Sequence, residues 1–111
     1  MSRIVRGALP QDNYTIVANT AVRDPRLPLA SIGLLVQILS HRAGWRTSER
    51  GLAKINNCGR GRIRSALAPL IEHGYITVEQ TRRDGRFDEN DWVVTDTPTV
   101  VGFPDHGFSY Q

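Results

Sequence analysis

The fold of this chain is decided by residues 51–76, GLAKINNCGRGRIRSALAPLIEHGYI. The stretch begins with a short helical segment and then reaches a polar turn at residues 56–59, whose residue types tolerate left-handed backbone geometry. In residues 60–73 the apolar side chains recur at helical spacing, and Gly74 is of the residue type that commonly ends a helix. Residues 75–79 then alternate as a strand does. The stretch therefore predicts a helix, a tight turn, a second helix and a strand in direct succession.

The helix after the turn, about residues 59–73, has two chemically different sides. Its apolar side consists of Ile63, Ala66, Leu67 and Leu70. Its opposite side carries the small residues Gly61, Ser65 and Ala68 together with Glu72, and it is flanked by Arg62 and Arg64. Small residues would let such a helix approach the floor of a groove, while the arginines would reach bases or phosphates. An ordinary solvated helix face is the alternative interpretation of the same pattern.

A longer helix is predicted upstream, at residues 28–42. Its core face is expected to contain Leu29, Ile32, Leu35, Val36 and Leu39, with Leu34 and Ile38 widening that face. Before it, residues 14–18 are rich in β-branched and aromatic types, which favours a short edge strand, and residues 19–26 are expected to form a loop. The predicted elements share one buried cluster. Its expected members are Leu35, Leu39, Leu52, Ile63, Leu67, Leu70 and Ile76.

The helix that precedes the turn is expected to begin just after Thr47 and Ser48. Serine is a common N-cap, because its side-chain oxygen accepts a hydrogen bond from a free backbone N–H of the first turn. Glu49 follows at once, and an acid in the first turn interacts favourably with the helix dipole. The inward side chains of this helix are expected to be Leu52, Ala53 and Ile55.

A basic hairpin is predicted after the last helix. The strand at residues 75–79 would direct Ile76 and Val78 inward, and residues 92–95 would supply its antiparallel partner. Residues 84–85, Asp-Gly, mark the turn, although the predicted connection is longer than a two-residue loop. The tip of the hairpin would then carry Arg82, Arg83 and Arg86.

The positive charge of the chain is concentrated in its middle. Residues 42–86 carry ten Lys and Arg against four Asp and Glu, whereas residues 87–111 carry five acids and no Lys or Arg. The basic block therefore coincides with the two helices and the hairpin, where it would face the phosphates of a nucleic acid. Thirteen of the fourteen basic residues are Arg, which binds guanine edges bidentately. Codon bias in a GC-rich genome is the alternative explanation of the arginine excess.

The composition of the chain limits the classes of protein to which it can belong. A chain of 111 residues with 40% hydrophobic content fits one folded domain with a small core. It contains no apolar run of transmembrane length and does not begin with a signal peptide, so we expect a cytoplasmic protein without membrane association. Cys58 is the single cysteine and is expected to be a core residue; the histidines have no metal-ligand spacing. The sequence therefore predicts no metal, no cofactor and no enzymatic activity.

Between about Tyr14 and Asp96 the chain resembles winged helix-turn-helix domain proteins of bacteria, plasmids and phages. The likeness is greatest to small domains of replication-initiator-like and DnaD-like proteins of high-GC bacteria. It is carried by residues 23–27, 33–35, 39–40, 44–45, 52–53, 70–76 and 82–87. The resemblance implies an α+β fold with a three-helix core and a C-terminal two-stranded wing. Residues 14–96 would form this domain, between a flexible segment at 1–13 and a tail at 97–111.

The resemblance also implies duplex-DNA binding in transcription regulation or replication control, often by a homodimer. The helix at about 59–73 would enter the major groove, with Arg62, Arg64 and Ser65 contacting bases or backbone and Arg60 contacting a phosphate. Hydroxyl donors to phosphate would come from Thr47 and Ser48. The adjacent minor groove or backbone would be held by Arg82, Arg83 and Arg86.

A protein-interaction module is the competing hypothesis. A winged-helix domain of phage or plasmid type could instead inhibit a host protein or serve as its adaptor. The tail supports this hypothesis, because it contains the aromatic residues Phe103, Phe108 and Tyr110 and could bind a protein partner. Salt-dependent duplex binding would separate the two hypotheses, because only the first requires it.

Overall fold

Helices occupy the first part of the chain and a hairpin follows them. The computed structural model describes residues 1–83 and 86–98; for residues 80–83 and 86–90 it describes the backbone. Within these ranges the elements are α1 (Asn19–Val22), α2 (Leu29–Leu39), α3 (Glu49–Ile55), α4 (Arg60–Glu72), β1 (Ile76–Arg83) and β2 (Arg86–Val94). The two strands form one antiparallel sheet. The described part of the chain is therefore a small α+β domain with four helices, where the sequence predicted three.

One apolar cluster holds these elements together. The predicted members Leu35, Leu52, Ile63, Leu67, Leu70 and Ile76 are all buried, and Leu39 is half-buried against them. Helix α4 supplies more of the buried apolar residues than any other element, and it packs against α2, α3 and β1. Its buried side is the predicted one, so the helical periodicity of this segment is confirmed.

The buried face of α2 is shifted from the predicted one. The predicted members Leu34, Leu35 and Ile38 are buried, and Ile32, Val36 and Leu39 are half-buried. Leu29 is 87% exposed, whereas Ser31, which was not predicted, is buried. Apolar residues surround this helix almost completely, so spacing alone does not identify the side that packs. Ser31 marks that side, because its hydroxyl donates a hydrogen bond to the Ala66 carbonyl oxygen in α4 at 2.7 Å. The helix also ends at Leu39, earlier than expected.

The N-terminal prediction was wrong in two respects. Among the described residues, 14–18 pair with no strand, and the segment expected to be a loop begins with the short helix α1. Ala21 of this helix is completely buried, which explains why a turn of helix forms there. The Ala18 N–H donates to Asp96 at 2.6 Å and ties this region to the residues that follow β2.

The end of α4 follows the prediction closely. Gly74 has a φ of +86°, the left-handed conformation in which glycine lacks the steric penalty of other residues. The N–H of Tyr75 donates to the Leu70 carbonyl at 2.8 Å, and that of Gly74 donates to the Ile71 carbonyl at 3.3 Å. This pair of bonds is the Schellman arrangement, and it turns the chain directly from α4 into β1.

A buried polar network fixes the segment between α1 and α2 to the start of the sheet. The Asp24 carboxylate accepts hydrogen bonds from the Arg26 guanidinium at 2.7 Å and from the Tyr75 hydroxyl at 2.7 Å. The hydrogen bond from Arg26 is the main reason that the pKa of Asp24 lies well below its usual range. Burial, with a contribution from Asp24, raises the pKa of Tyr75 to about 12.

The strands are longer than predicted, and their connection is shorter. Arg83 pairs with Arg86 in the register, so residues 84 and 85 connect the strands. That connection contains the predicted Asp-Gly turn and lies outside the described residues. Val78 shares a face with Ile76 but is 42% exposed, because it lies farther from the helices along the ribbon. Ile55, expected inward, is 56% exposed at the last position of α3.

Candidate nucleic-acid interface

The outer side of α4 is an open, exposed surface. Gly61, Arg62, Ser65 and Ala68 are all exposed there. A Cβ atom placed on Gly61 would meet no other atom within 4 Å, so this part of the helix faces open space. The predicted division of α4 into an apolar side and a small, basic side is present. A helix side of this kind can approach a partner surface closely.

Two of the predicted arginines form ion pairs with the preceding helix. The Arg64 guanidinium lies 3.0 Å from the Glu49 carboxylate, and that of Arg60 lies 3.5 Å from the same oxygen. Their side chains remain 63% and 53% exposed, against 28% for Glu49. The hydrogen bond from Arg64 is the main cause that lowers the pKa of Glu49. These arginines are therefore solvent-accessible but partly neutralised.

Arg62 differs from its two neighbours. It is exposed, and it forms no ion pair with any residue that the structure describes. Residues two apart on a helix do not face each other, so Arg62 lies on a different side of α4 from Arg60 and Arg64, away from Glu49. Arg62 is thus the α4 arginine whose charge is most available to a ligand.

The residues just before α3 form the predicted cap. The Ser48 hydroxyl oxygen accepts a hydrogen bond from the Gly51 N–H at 3.0 Å, and the side chain is exposed. A hydroxyl that accepts one bond still has its own proton, so Ser48 can also donate to an external acceptor. Thr47 is half-buried. Both hydroxyls lie close to Gly51, where an added Cβ would approach the Thr47 oxygen to 3.2 Å.

The turn between α3 and α4 is fixed by features that are only partly visible in the sequence. Asn57 has a φ of +53°, as the residue types of the turn predicted. Cys58 is half-buried against the core, in the expected role. The amides of Gln37 and Asn56 exchange two hydrogen bonds, at 3.0 and 2.8 Å, and so link α2 to the end of α3. This link between residues 19 apart in the chain had no local signal.

The hairpin arginines lie at the far end of the sheet. Arg82 and Arg83 are in β1, Arg86 begins β2, and the backbone of Arg83 pairs with that of Arg86. The ladder shifts register between Gln80 and Arg82. The structure therefore gathers the backbone of the three predicted residues on either side of one short connection.

A cleft not anticipated from the sequence lies between the loop that precedes α3 and the strand β2. It has a volume of about 660 Å³, and its walls include Trp45, Trp92 and Arg42. The Trp45 ring stacks on that of His41, with their centroids 3.6 Å apart. Thr47 also lines the cleft, which therefore borders the cap of α3. Its aromatic and cationic lining suits a planar or anionic group.

In residues 1–83 and 86–98, no group of His, Cys, Asp and Glu side chains is arranged to hold a metal ion. No helix in the same ranges is both long and apolar enough to cross a bilayer. Comparisons with protein-family models, with curated proteins and with solved structures gave no match.

Proposed function

We propose that this chain is a duplex-DNA-binding protein with a winged helix-turn-helix arrangement. In this proposal α3 and α4 are the two helices of the motif, α4 enters the major groove, and the β1–β2 hairpin is the wing. One observation carries the proposal. The outer side of α4 is exposed, with small residues at its centre and arginines at its margins. The apolar residues of its other side are buried in the core.

The surroundings of α4 support the same function. Small residues at the centre of its outer side remove the bulk that would hold the helix away from the groove floor. The basic residues of the chain cluster between 42 and 86, on the elements that would face the phosphates. The hairpin follows α4 after a single turn, so both elements can contact the same duplex.

Each predicted residue has a definite role in this proposal. Arg62 contacts a base edge or a phosphate directly, because it has no competing carboxylate among the described residues. Arg60, Arg64 and Ser65 contact the backbone or bases along the same groove. Ser48 and Thr47 donate to phosphates next to the start of α3. The wing arginines, Arg82, Arg83 and Arg86, contact the adjacent minor groove or backbone.

The biological role that we propose is transcription regulation or replication control in the cytoplasm. A homodimer would present two copies of α4 to successive turns of the major groove, about 34 Å apart. Two such helices would extend the recognised sequence beyond what one helix of this length can contact.

The test is a salt titration of binding to a labelled pool of random duplexes. Direct phosphate contacts make the logarithm of the binding constant fall linearly with the logarithm of salt concentration, by about 0.9 for each phosphate neutralised. We expect a slope that corresponds to several contacts, and enrichment of a preferred sequence over selection rounds. Binding that is absent at low salt, or independent of salt, would contradict the proposal.

A protein-interaction module is the second candidate function, favoured by a separate observation. The N-terminal segment exposes a series of large apolar side chains. They are Ile4, Val5, Leu9, Tyr14 and Ile16. The described core does not cover these side chains, so they could pack against another protein. The tail aromatics that first suggested this function lie outside the described residues. If the chain binds no duplex in the salt titration, this candidate becomes the leading one.

A further inference from the structure

Glu49 occupies a singular position in the charge distribution of this chain. It is the only Asp or Glu between residues 25 and 71, a stretch that contains seven Arg and Lys downstream of position 41. As the first residue of α3, it follows the cap residue Ser48 and lies beside the start of α4. The single acid of this stretch is therefore located where the proposed DNA-contacting arginines begin.

The carboxylate of Glu49 contacts two arginines at once. Arg60 and Arg64 are four residues apart in α4, so their side chains project from the same side of the helix. Both guanidinium groups approach one carboxylate oxygen, Oε1, at 3.5 and 3.0 Å. The second oxygen, Oε2, accepts from the Arg64 Nε–H at a longer 3.5 Å. The arginines thus share one acceptor, and only one of the three contacts is short.

We propose that Glu49 is an internal competitor for the DNA backbone, whose carboxylate holds Arg60 and Arg64 until phosphates replace it. The inference rests on the proposed function and adds a mechanism that limits affinity. Carboxylate and phosphate present the same kind of charged oxygen acceptor to a guanidinium group. Because both arginines are more than half exposed, a phosphate can reach them from solvent without a change in the fold.

A purely structural role explains the arrangement less well. Exposed ion pairs of this kind contribute little to folding stability. The packing of α3 against α4 already rests on buried apolar residues, including Leu52, Ala53, Ile63 and Leu67. Removing the carboxylate should therefore leave the fold intact while it changes the field that an approaching duplex meets.

The variant that tests the proposal is Glu49→Gln, which keeps the size of the side chain and removes its charge. We expect the Kd for a random-sequence duplex to fall by about 3- to 30-fold, the range given by two exposed ion pairs no longer broken on binding. The salt slope should stay close to that of the parent, because the same two arginines contact phosphates in both proteins. A thermal melt of each variant checks that the fold is retained.

Asp12→Asn is the matched control. It makes the same change in net charge at an exposed position of the N-terminal segment, outside the elements that we propose to contact DNA. We expect its Kd to remain within about 2-fold of the parent value. An equal gain in the two variants would overturn the proposal, since it would reflect net charge alone.

Three further results would also contradict it. If Glu49→Gln weakens binding and relaxes sequence preference, Glu49 is a positioning residue that holds Arg64 toward a base. If the parent chain binds duplex with the expected salt slope and Glu49→Gln binds no more tightly, the competitor mechanism is wrong and the proposed function stands. If no form of the chain binds duplex, the proposed function fails together with the inference. Glu49→Asp keeps the charge on a shorter side chain, so competition predicts a smaller gain than Glu49→Gln gives.

Discussion

The Ser31 hydroxyl donates a hydrogen bond to the Ala66 carbonyl oxygen at 2.7 Å, and it does so with no exposure to solvent. This bond joins α2 to α4 across the core, 35 residues apart in the chain. A polar side chain in the middle of an apolar face is acceptable there because its partner satisfies it. The position of α4, and thus of its exposed arginines, depends in part on this contact.

Replacing Ser31 by Ala should lower the free energy of unfolding by about 0.5–1.5 kcal/mol, the net contribution of an ordinary hydrogen bond. Urea unfolding at neutral pH measures the change. Ser40→Ala is the control, because the Ser40 hydroxyl bonds to the Gln37 carbonyl of its own helix at an exposed site. We expect the control to lose less than about 0.5 kcal/mol. An equal decrease in the free energy of unfolding for both variants would show that the hydrogen bond to α4 contributes no more than the exposed one.

The Asp24 carboxylate should make the protein sensitive to acid. Its pKa in the folded state lies below the unfolded value of about 3.9, because of the hydrogen bonds from Arg26 and Tyr75. The folded state therefore binds fewer protons, so this stabilisation is complete above about pH 5 and is lost as the pH falls through 4 toward the folded-state pKa. Urea midpoints between about pH 3 and pH 6 should show this loss. Asp24→Asn should flatten that dependence, whereas Asp12→Asn, which leaves the cluster intact, should preserve it.

Two glycines should respond in opposite directions to the same substitution. Gly74→Ala should destabilise the fold by about 1–2 kcal/mol, because alanine is strained at a φ of +86°. Gly33→Ala should stabilise it by about 0.5–1 kcal/mol, since Gly33 is an exposed residue inside α2 with open space at its Cβ position. Thermal melts of both variants provide the comparison. A stabilised Gly74→Ala protein would contradict the described turn.

Substitution of the α4 arginines should distinguish base contacts from phosphate contacts. Arg62→Ala or Arg64→Ala should weaken binding to the preferred duplex by about 1–3 kcal/mol and relax the preference at one position, if the residue contacts a base. A loss that is the same for every sequence would instead indicate a phosphate contact. Arg23→Ala, at an exposed position next to α1, controls for the lost charge. If neither α4 variant changes binding, α4 is not the recognition helix.

Neutralising the hairpin arginines Arg82, Arg83 and Arg86 together should lower affinity for any duplex. The salt slope should become shallower by about 0.9 for each phosphate contact removed. We expect the melting temperature to stay close to that of the parent chain, because ion pairs at a protein surface contribute little to stability. A triple variant with normal melting and an unchanged slope would remove the hairpin from the interface and favour the protein-interaction function.

The parts of the fold that were predictable from sequence are those with a strong local signal. In helix α4 the apolar residues recur at helical spacing and all lie on one side. Ser48 and Gly74 are residue types suited to the start and the end of a helix. The hairpin has the alternating pattern of a strand. In helix α2 the predicted residues Leu34, Leu35 and Ile38 are buried but Leu29 is exposed, because apolar residues surround the helix and only a distant carbonyl in α4 selects the side that packs. Ile55, the last residue of α3, was also wrongly expected to be buried.

The contacts within the candidate site could likewise not be predicted from local sequence. Its arginines are evident from composition and spacing, but their partner is not, because Glu49 and Arg64 are fifteen residues apart and meet only when α3 packs on α4. The hydrogen bond between Asp24 and Tyr75 joins residues 51 apart, so no local sequence pattern could predict it. Spacing identifies the residues that can contact a ligand, whereas the contacts that restrain them depend on tertiary structure.

Both tryptophans of the chain line the cleft between the loop before α3 and the strand β2. Trp45 and Trp92 are separated by almost half the sequence, yet their indole rings belong to the same small region of the molecule. Light emitted on excitation near 295 nm therefore originates entirely from that cleft. The intrinsic tryptophan fluorescence of the protein should therefore report any change in the distance between this loop and the hairpin, without an attached dye.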